Sequence, residues 1–293
     1  MRTLLKTAVA RAYAAGGGLR RQHAGRLVVL TFHRVRPGGE GPARQAMRTL
    51  DVAVPDFRRI LARMKAAYEP VALRDWIGRE APPARASFAV TFDDGWADNY
   101  EHAFPVLREL GLPATVFLAT GAVEDRTPFW WQLPGLSDAE IEILKHRPRA
   151  WLENRMAERP DFRKTHAADF LTWEQIGEMG RSGLVDFGPH GHRHLLMNSL
   201  PREEAVADVR RCWSLLNERA PGALLPALAW PNGDARGDLA ADLEALGLRA
   251  AFGTGRGAVA RAADARWNLP RNNVDRNASR HPGLLPWLLM RAR

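Results

Sequence analysis

Of 293 residues only Cys212 is a cysteine, so no intramolecular disulfide can staple this chain and a reducing compartment is permitted. No stretch approaches the roughly 20 apolar residues of a membrane-spanning helix. Membrane contact, if any, is then peripheral, and LLPWLLMRAR (284–293) is the segment suited to it. The opening MRTLLKTAVARAYAAGGGLRRQ is basic, but Lys6 and Arg11 interrupt its apolar residues too early for a signal-peptide core. Residues 1–25 therefore read as a basic amphipathic segment, and the expected location is cytoplasmic or peripheral at the inner face of the membrane. Internal repeats and low-complexity tracts are absent. The formal net charge is +9, yet Lys and Arg are spread along the chain instead of forming blocks. With no RNA-binding signature and no zinc-finger spacing, nucleic acid is not an expected partner.

What the chain does have is a globular composition, 46% hydrophobic and 26% charged, and enough length for one sizeable core. Short runs rich in Val, Leu, Phe and Thr read as buried strands at 26–32, 86–92, 113–119, 183–188, 226–230 and 249–253. Between them lie helical patterns. Phe57, Ile60, Leu61 and Met64 recur at helical spacing, as do Val206, Val209, Trp213 and Leu216, with Cys212 inside the second helix. Thr172, three residues before Gln175, forms a capping box. Such alternation predicts an α/β fold with a largely parallel sheet, open or closed into a barrel. Residues 120–171 break the rhythm and read as a lid-like insertion. The expected division is a basic segment at 1–25, a main domain at 26–275 and a tail at 276–293.

The unusual polar residues all follow strands. His33 follows the first, and TFDDGW (91–96) places Asp93 and Asp94 after the second. GPHGHRH follows the fourth, and Trp230, Pro231 and Asn232 follow the fifth. In parallel α/β folds the carboxyl ends of the strands share one rim, where active sites are built. Neighbouring side chains on a strand end diverge, so two adjacent aspartates suggest two different jobs. Gly188 and Pro189 are expected to interrupt the strand before His190. A helical turn would then place His190 and His194 about 5–6 Å apart on one face, with His192 pointing elsewhere. Two imidazoles and a carboxylate make a three-ligand metal site with a fourth position open to water.

TFDDG followed by a glycine and HxxxH, with LTFHRV upstream and AWPNG downstream, resembles the polysaccharide deacetylase family with its NodB-homology domain. The resemblance spans about residues 26–275. It implies a distorted (β/α) barrel of about seven parallel strands. It also implies metal-dependent hydrolysis of an N-acetyl or other acyl group from a sugar in a polysaccharide or glycoconjugate, such as occurs in exopolysaccharide biosynthesis. By position Asp93 resembles the general base, and Asp94 the metal ligand beside His190 and His194. Zinc suits these donors, with cobalt or nickel also fitting. Backbone N–H groups of Gly95 or Trp96 would help to hold the oxyanion. Trp96, Trp230 and Trp131 are candidate walls for the sugar, and Pro231, Asn232 and Arg271 complete the expected substrate-binding set.

Two departures stand out. Ala229, Trp230 and Pro231 occupy the place of the family's Arg-x-Pro, and Arg271 in NLPRNN is the candidate substitute. The family's late Leu-x-x-His is missing. Only His281 lies beyond His194, so His33 is assigned the catalytic role of that histidine. Two other readings are a silent carbohydrate-binding or scaffold protein, and a different histidine-cluster hydrolase, although HGHRH lacks the Asp of His-x-His-x-Asp-His and would leave the two aspartates idle.

Overall fold

A computed structural model describes residues 2–38, 47–159 and 161–292. The framework consists of seven parallel strands, β1 (Leu27–Phe32), β2 (Ser87–Phe92), β3 (Ala114–Leu118), β4 (Val185–Pro189), β5 (Ala227–Ala229), β6 (Ala250–Phe252) and β7 (Asn272–Asn273). Five of them pair in the order β7-β1-β2-β3-β4, while β5 and β6 form a separate parallel pair. Single parallel bridges close the gaps, Phe187 to Leu224 between β4 and the approach to β5, and Phe252 to Leu269 between β6 and the approach to β7. The result is a distorted barrel. Glu69–Pro70 pairs with the start of β2, and Arg34–Arg36 pairs with Asp51–Ala53 outside the barrel.

The strands read as unbroken apolar runs because both of their faces are covered. Val28, Leu30, Phe32, Val90 and Phe92 point outward against Phe57, Ile60, Leu61 and Met64 of the helix Val54–Ala67. Val29, Ala89, Phe117, Ala227, Ala229 and Phe252 point inward. Each large apolar side chain so buried contributes about 1.5–3 kcal/mol. The capping box at Thr172 forms as expected, its side chain accepting from the Gln175 N–H.

Two expectations change. Strand β4 is not interrupted before Pro189 but runs through Gly188 and Pro189, in register with Phe117 and Leu118. His190 N–H bonds Leu118 O, which directs the missing N–H of Pro189 to the other side, where only a single bridge joins β4 to its neighbour. Gly188 allows close packing here, since a Cβ would lie 2.6 Å from Ala227 O. The second change concerns the C-terminal tail, the segment suited to peripheral membrane contact. In the helix Leu284–Met290, Leu285, Leu288 and Leu289 are buried, and the N-terminal helices Arg2–Ala15 and Gly18–Gln22 pack beside it. Gln22 donates to Met290 O and Ala292 O, and His23 joins Tyr68 Oη to Ala292 O. Among the described residues no helix is long and apolar enough to cross a membrane.

Candidate active site and metal centre

At the carboxyl end of β2 the chain turns sharply. Asp93 N–H still bonds Phe32 O, but Asp94 has φ 76° and Gly95 φ 89°. Aspartate tolerates this left-handed conformation better than most residues, and at Gly95 a Cβ would meet Leu118 at 2.8 Å. The two aspartates diverge because of this turn and not through strand alternation.

Asp93 faces Arg271, which follows Leu269 and Pro270 on the approach to β7. The guanidinium makes two parallel bonds, Nη1 to Oδ1 at 2.6 Å and Nη2 to Oδ2 at 2.8 Å, while Nε donates to Gly253 O. Both side chains are almost fully buried. Burial alone would raise the Asp93 pKa, but Arg271, with His190 and His33, more than reverses this and holds the carboxyl below its usual range. His33 Nε2 lies 3.9 Å from Asp93 Oδ2.

Asp94 faces the histidines. Its Oδ1 is 3.3 Å from His194 Nε2 and 3.6 Å from His190 Nε2, and its Oδ2 accepts from Trp96 Nε1 at 2.9 Å. His190 Nδ1 lies 2.8 Å from Ala229 O. Donation to this carbonyl leaves Nε2 with a free lone pair. Burial pushes the His190 pKa down to about 4, so the ring is neutral at pH 7. Burial also opposes ionisation of Asp94, yet the nearby His194, with His33 and His190, lowers its pKa. One donor atom each from Asp94, His190 and His194 lies within 4.8 Å of the others. Asp94 Oδ1 is buried and has no hydrogen-bond donor. A buried carboxylate oxygen left without a donor beside two imidazole nitrogens fits a divalent cation.

The loop carrying the histidines is not helical. Gly191 at φ 75° and His194 at φ 51° fold it back on itself, bringing the His190 and His194 rings to 4.7 Å between centroids. His192 points away, towards Thr120 Oγ1 at 3.0 Å. The loop is anchored by Asp208, which accepts from His192 N–H and Arg193 Nε. Nothing in the sequence reading singled out Asp208. Its signal was a carboxylate on the inward side of the helix Arg202–Arg219, one turn before buried Cys212.

Asp93, Asp94, His190 and His194 line a cleft of ≈ 690 Å³, together with His33, Asn232, Arg271, Trp130, Trp131 and residues of the insertion. Trp131 stacks on Phe129 at 4.4 Å and stands edge-on to His194 at 4.8 Å. Three residues of the expected substrate-binding set are absent from the cleft. Trp96 is buried between Phe170 and the Arg34 guanidinium, where it holds Asp94. Trp230 is fully buried, its Nε1 bonded to Trp267 O, and Pro231 is buried behind the histidine loop near Gly191. Arg271 reaches the cleft, but its guanidinium is committed to Asp93 and Gly253. The Gly95 N–H is likewise committed, to Asp93 O, and is no free oxyanion donor. His281 is exposed and lies outside the cleft.

A family model described as polysaccharide deacetylase matches residues 80–251. Among solved structures, the chain is similar to the Streptococcus pyogenes deacetylase PplD, determined in complex with acetate. The identity is 18% and the TM-score 0.64, over 91% of this chain and 97% of that one. It is also similar to IcaB from Ammonifex degensii, with 23% identity and a TM-score of 0.63 over 90% and 97% of the two chains. At these identities the likeness concerns the fold. YxkH of Bacillus subtilis (strain 168), which carries a polysaccharide deacetylase name, is 42% identical over 40 residues. That alignment spans 14% of this chain and 14% of the relative.

Proposed function

The chain belongs to the polysaccharide deacetylase family, hydrolases acting on carbon–nitrogen bonds, and from that premise we propose that it removes an N-acetyl group from a sugar of a polysaccharide or glycoconjugate in a metal-dependent reaction, releasing acetate. One observation carries the reading. Asp93, clamped through both oxygens by Arg271, stands beside a separate Asp94–His190–His194 cluster.

Asp94, His190 and His194 would hold the cation, with zinc, cobalt and nickel all suited to the donors. When bound, such a cation polarises an amide carbonyl and acidifies a water molecule. Asp93 then accepts the proton of the attacking water. Arg271 fixes the direction of the carboxylate and keeps it ionised until that moment. His33, on the same side of the cleft and 3.9 Å from Asp93, is the group placed to return a proton to the leaving amine. Trp131 offers a flat apolar face beside His194 for a sugar ring, and Asn232 supplies a polar group across the cleft.

The test measures bound metal and acetate release from N-acetylglucosamine oligomers. Asp94→Asn should lose metal and activity together, because an amide lacks the charge that attracts the cation. Asp93→Asn should retain metal while turnover falls on the order of 10²- to 10⁴-fold, the usual cost of a missing general base. If both variants keep wild-type metal content and rate, the reading is wrong.

A further inference from the structure

Leu5, Val9 and Tyr13 are 68%, 48% and 37% exposed and lie one above another on the helix Arg2–Ala15. Ala8 and Ala12 are exposed between them. This is the i, i+3, i+4, i+7, i+8 spacing by which a helix normally faces a core, yet here Leu5 and Val9 face away from the protein, and Tyr13 ends the stripe with its ring against Gly18 and its hydroxyl donating to Gln22 Oε1. The other side of the helix is already occupied, with Ala10 fully buried and Thr7 packed against Gly283. A helix that is apolar on both sides has one side waiting for cover.

The charge around it is of one sign. Residues 2–26 and 276–292, which pack together, contain nine Lys and Arg and no Asp or Glu. Lys6 and Arg11 are exposed beside the stripe, and Lys6 Nζ sits 5.7 Å from the centroid of the half-buried Trp287 ring. An apolar stripe flanked by cations with an indole nearby is the composition of a helix lying in a membrane interface. Pairing with a second copy fits less well. It would bring Lys6 and Arg11 towards their own counterparts, with no carboxylate in this module to neutralise them.

We propose that the helix Arg2–Ala15 docks the protein on an anionic lipid surface, with Leu5 and Val9 inserted below the headgroups, Tyr13 at their level and Lys6 and Arg11 on the phosphates. The surface lies apart from the catalytic cleft and does not depend on what the cleft hydrolyses.

Flotation of the full-length protein with vesicles tests this. Binding is expected to equimolar phosphatidylglycerol and phosphatidylcholine at low salt, with little to phosphatidylcholine alone. Leu5→Ser/Val9→Ser should lower partitioning roughly tenfold or more, since two inserted side chains are lost. Lys6→Gln/Arg11→Gln should lower it by a similar factor at low salt and much less at high salt. All four positions are exposed, so thermal unfolding should match wild type. The proposal is overturned if anionic vesicles do not bind the protein, or if Leu5→Ser/Val9→Ser binds as well as wild type. It is equally overturned if sedimentation reveals a dimer that this double variant dissociates, which would give the stripe to a second copy.

Discussion

Arg271→Met removes the guanidinium, which also lies over the Phe117 ring, from Asp93 while keeping much of the apolar stem. What remains is a carboxylate whose side chain is 4% exposed, without its two charge-assisted bonds of 2.6 and 2.8 Å, and a Gly253 carbonyl without its donor. Breaking a buried pair from one side costs about 3–5 kcal/mol, because the other charge stays buried and uncompensated. Against a total stability of about 5–15 kcal/mol this is a large fraction. Asp93→Asn leaves the converse problem, a buried cation. Asp93→Asn/Arg271→Met removes both charges, so the double variant should be far less unstable than the two single losses added together, with a coupling of several kcal/mol. Urea unfolding of the four proteins measures it, with a constant m-value required for the comparison. Turnover of Arg271→Met should fall about 10²-fold through misplacement of the base, while bound metal stays unchanged. A loss in Arg271→Met below about 1 kcal/mol, with additive single and double effects, would refute the dependence of Asp93 on this arginine.

Three further outcomes follow from the same geometry. Trp96→Phe keeps a ring beside Phe170 but deletes the 2.9 Å bond to Asp94 Oδ2, so metal affinity should drop about 10- to 100-fold in a chelator competition; unchanged affinity would mean that Asp94 is positioned by the turn alone. Trp131→Ala should raise KM for oligomeric substrate with metal content intact, whereas an insoluble variant would assign Trp131 to the core. Asp186 is nearly fully buried, and burial pushes its pKa up to about 6, with Arg74 only partly offsetting and Asp75 adding to the rise. Its folded state therefore binds the proton more readily than the unfolded state, and stability should fall as pH rises from about 4 to about 6. Asp186→Asn should flatten that window and gain up to about 3 kcal/mol at pH 7; a destabilised variant there would show that the Arg74 pair outweighs the burial.

The barrel was legible because its strands carry their own signature. A strand covered on both faces has to be apolar at every position, and 26–32 and 86–92 are so along most of their length. The end of β4 was misjudged because Pro189 was weighed as a missing donor without knowing that its N side faces an incomplete ladder. The tail was misjudged for a related reason. LLPWLLM looks the same whether its leucines meet lipid or a neighbouring helix, and the burial of Leu285, Leu288 and Leu289 under the N-terminal helices, with Gln22 and His23 docked on the Ala292 carbonyl, separates the two. The site was legible as a set of residue types at strand ends, which is why Asp93, Asp94, His33, His190 and His194 all meet. Their orientations were not. The left-handed turns at Asp94, Gly191 and His194 direct the side chains, and a sequence pattern built on regular strand or helix periods does not contain them. Trp96 shows the same limit, for a tryptophan two residues from a ligand can line the cleft or brace the ligand, and its surroundings decide.

The exchange of arginine positions has a physical logic. In the resemblance, the arginine that orients the base belongs where Ala229 now stands at the end of β5. Here the Ala229 carbonyl faces His190 Nδ1, and Trp230 fills the space behind it against Trp267. Arg271 enters instead from the approach to β7, resting its Nε on Gly253 just past β6. Because the strand ends form a closed rim, a long guanidinium can reach the same carboxylate from a different strand. What the chemistry requires is two parallel donors on Asp93 within a dry site, and a partner 178 residues away in sequence supplies them as well as a nearer one could. Arg271→Lys would therefore not be conservative: an ammonium cannot supply the paired donors to Asp93 while also bonding Gly253 O.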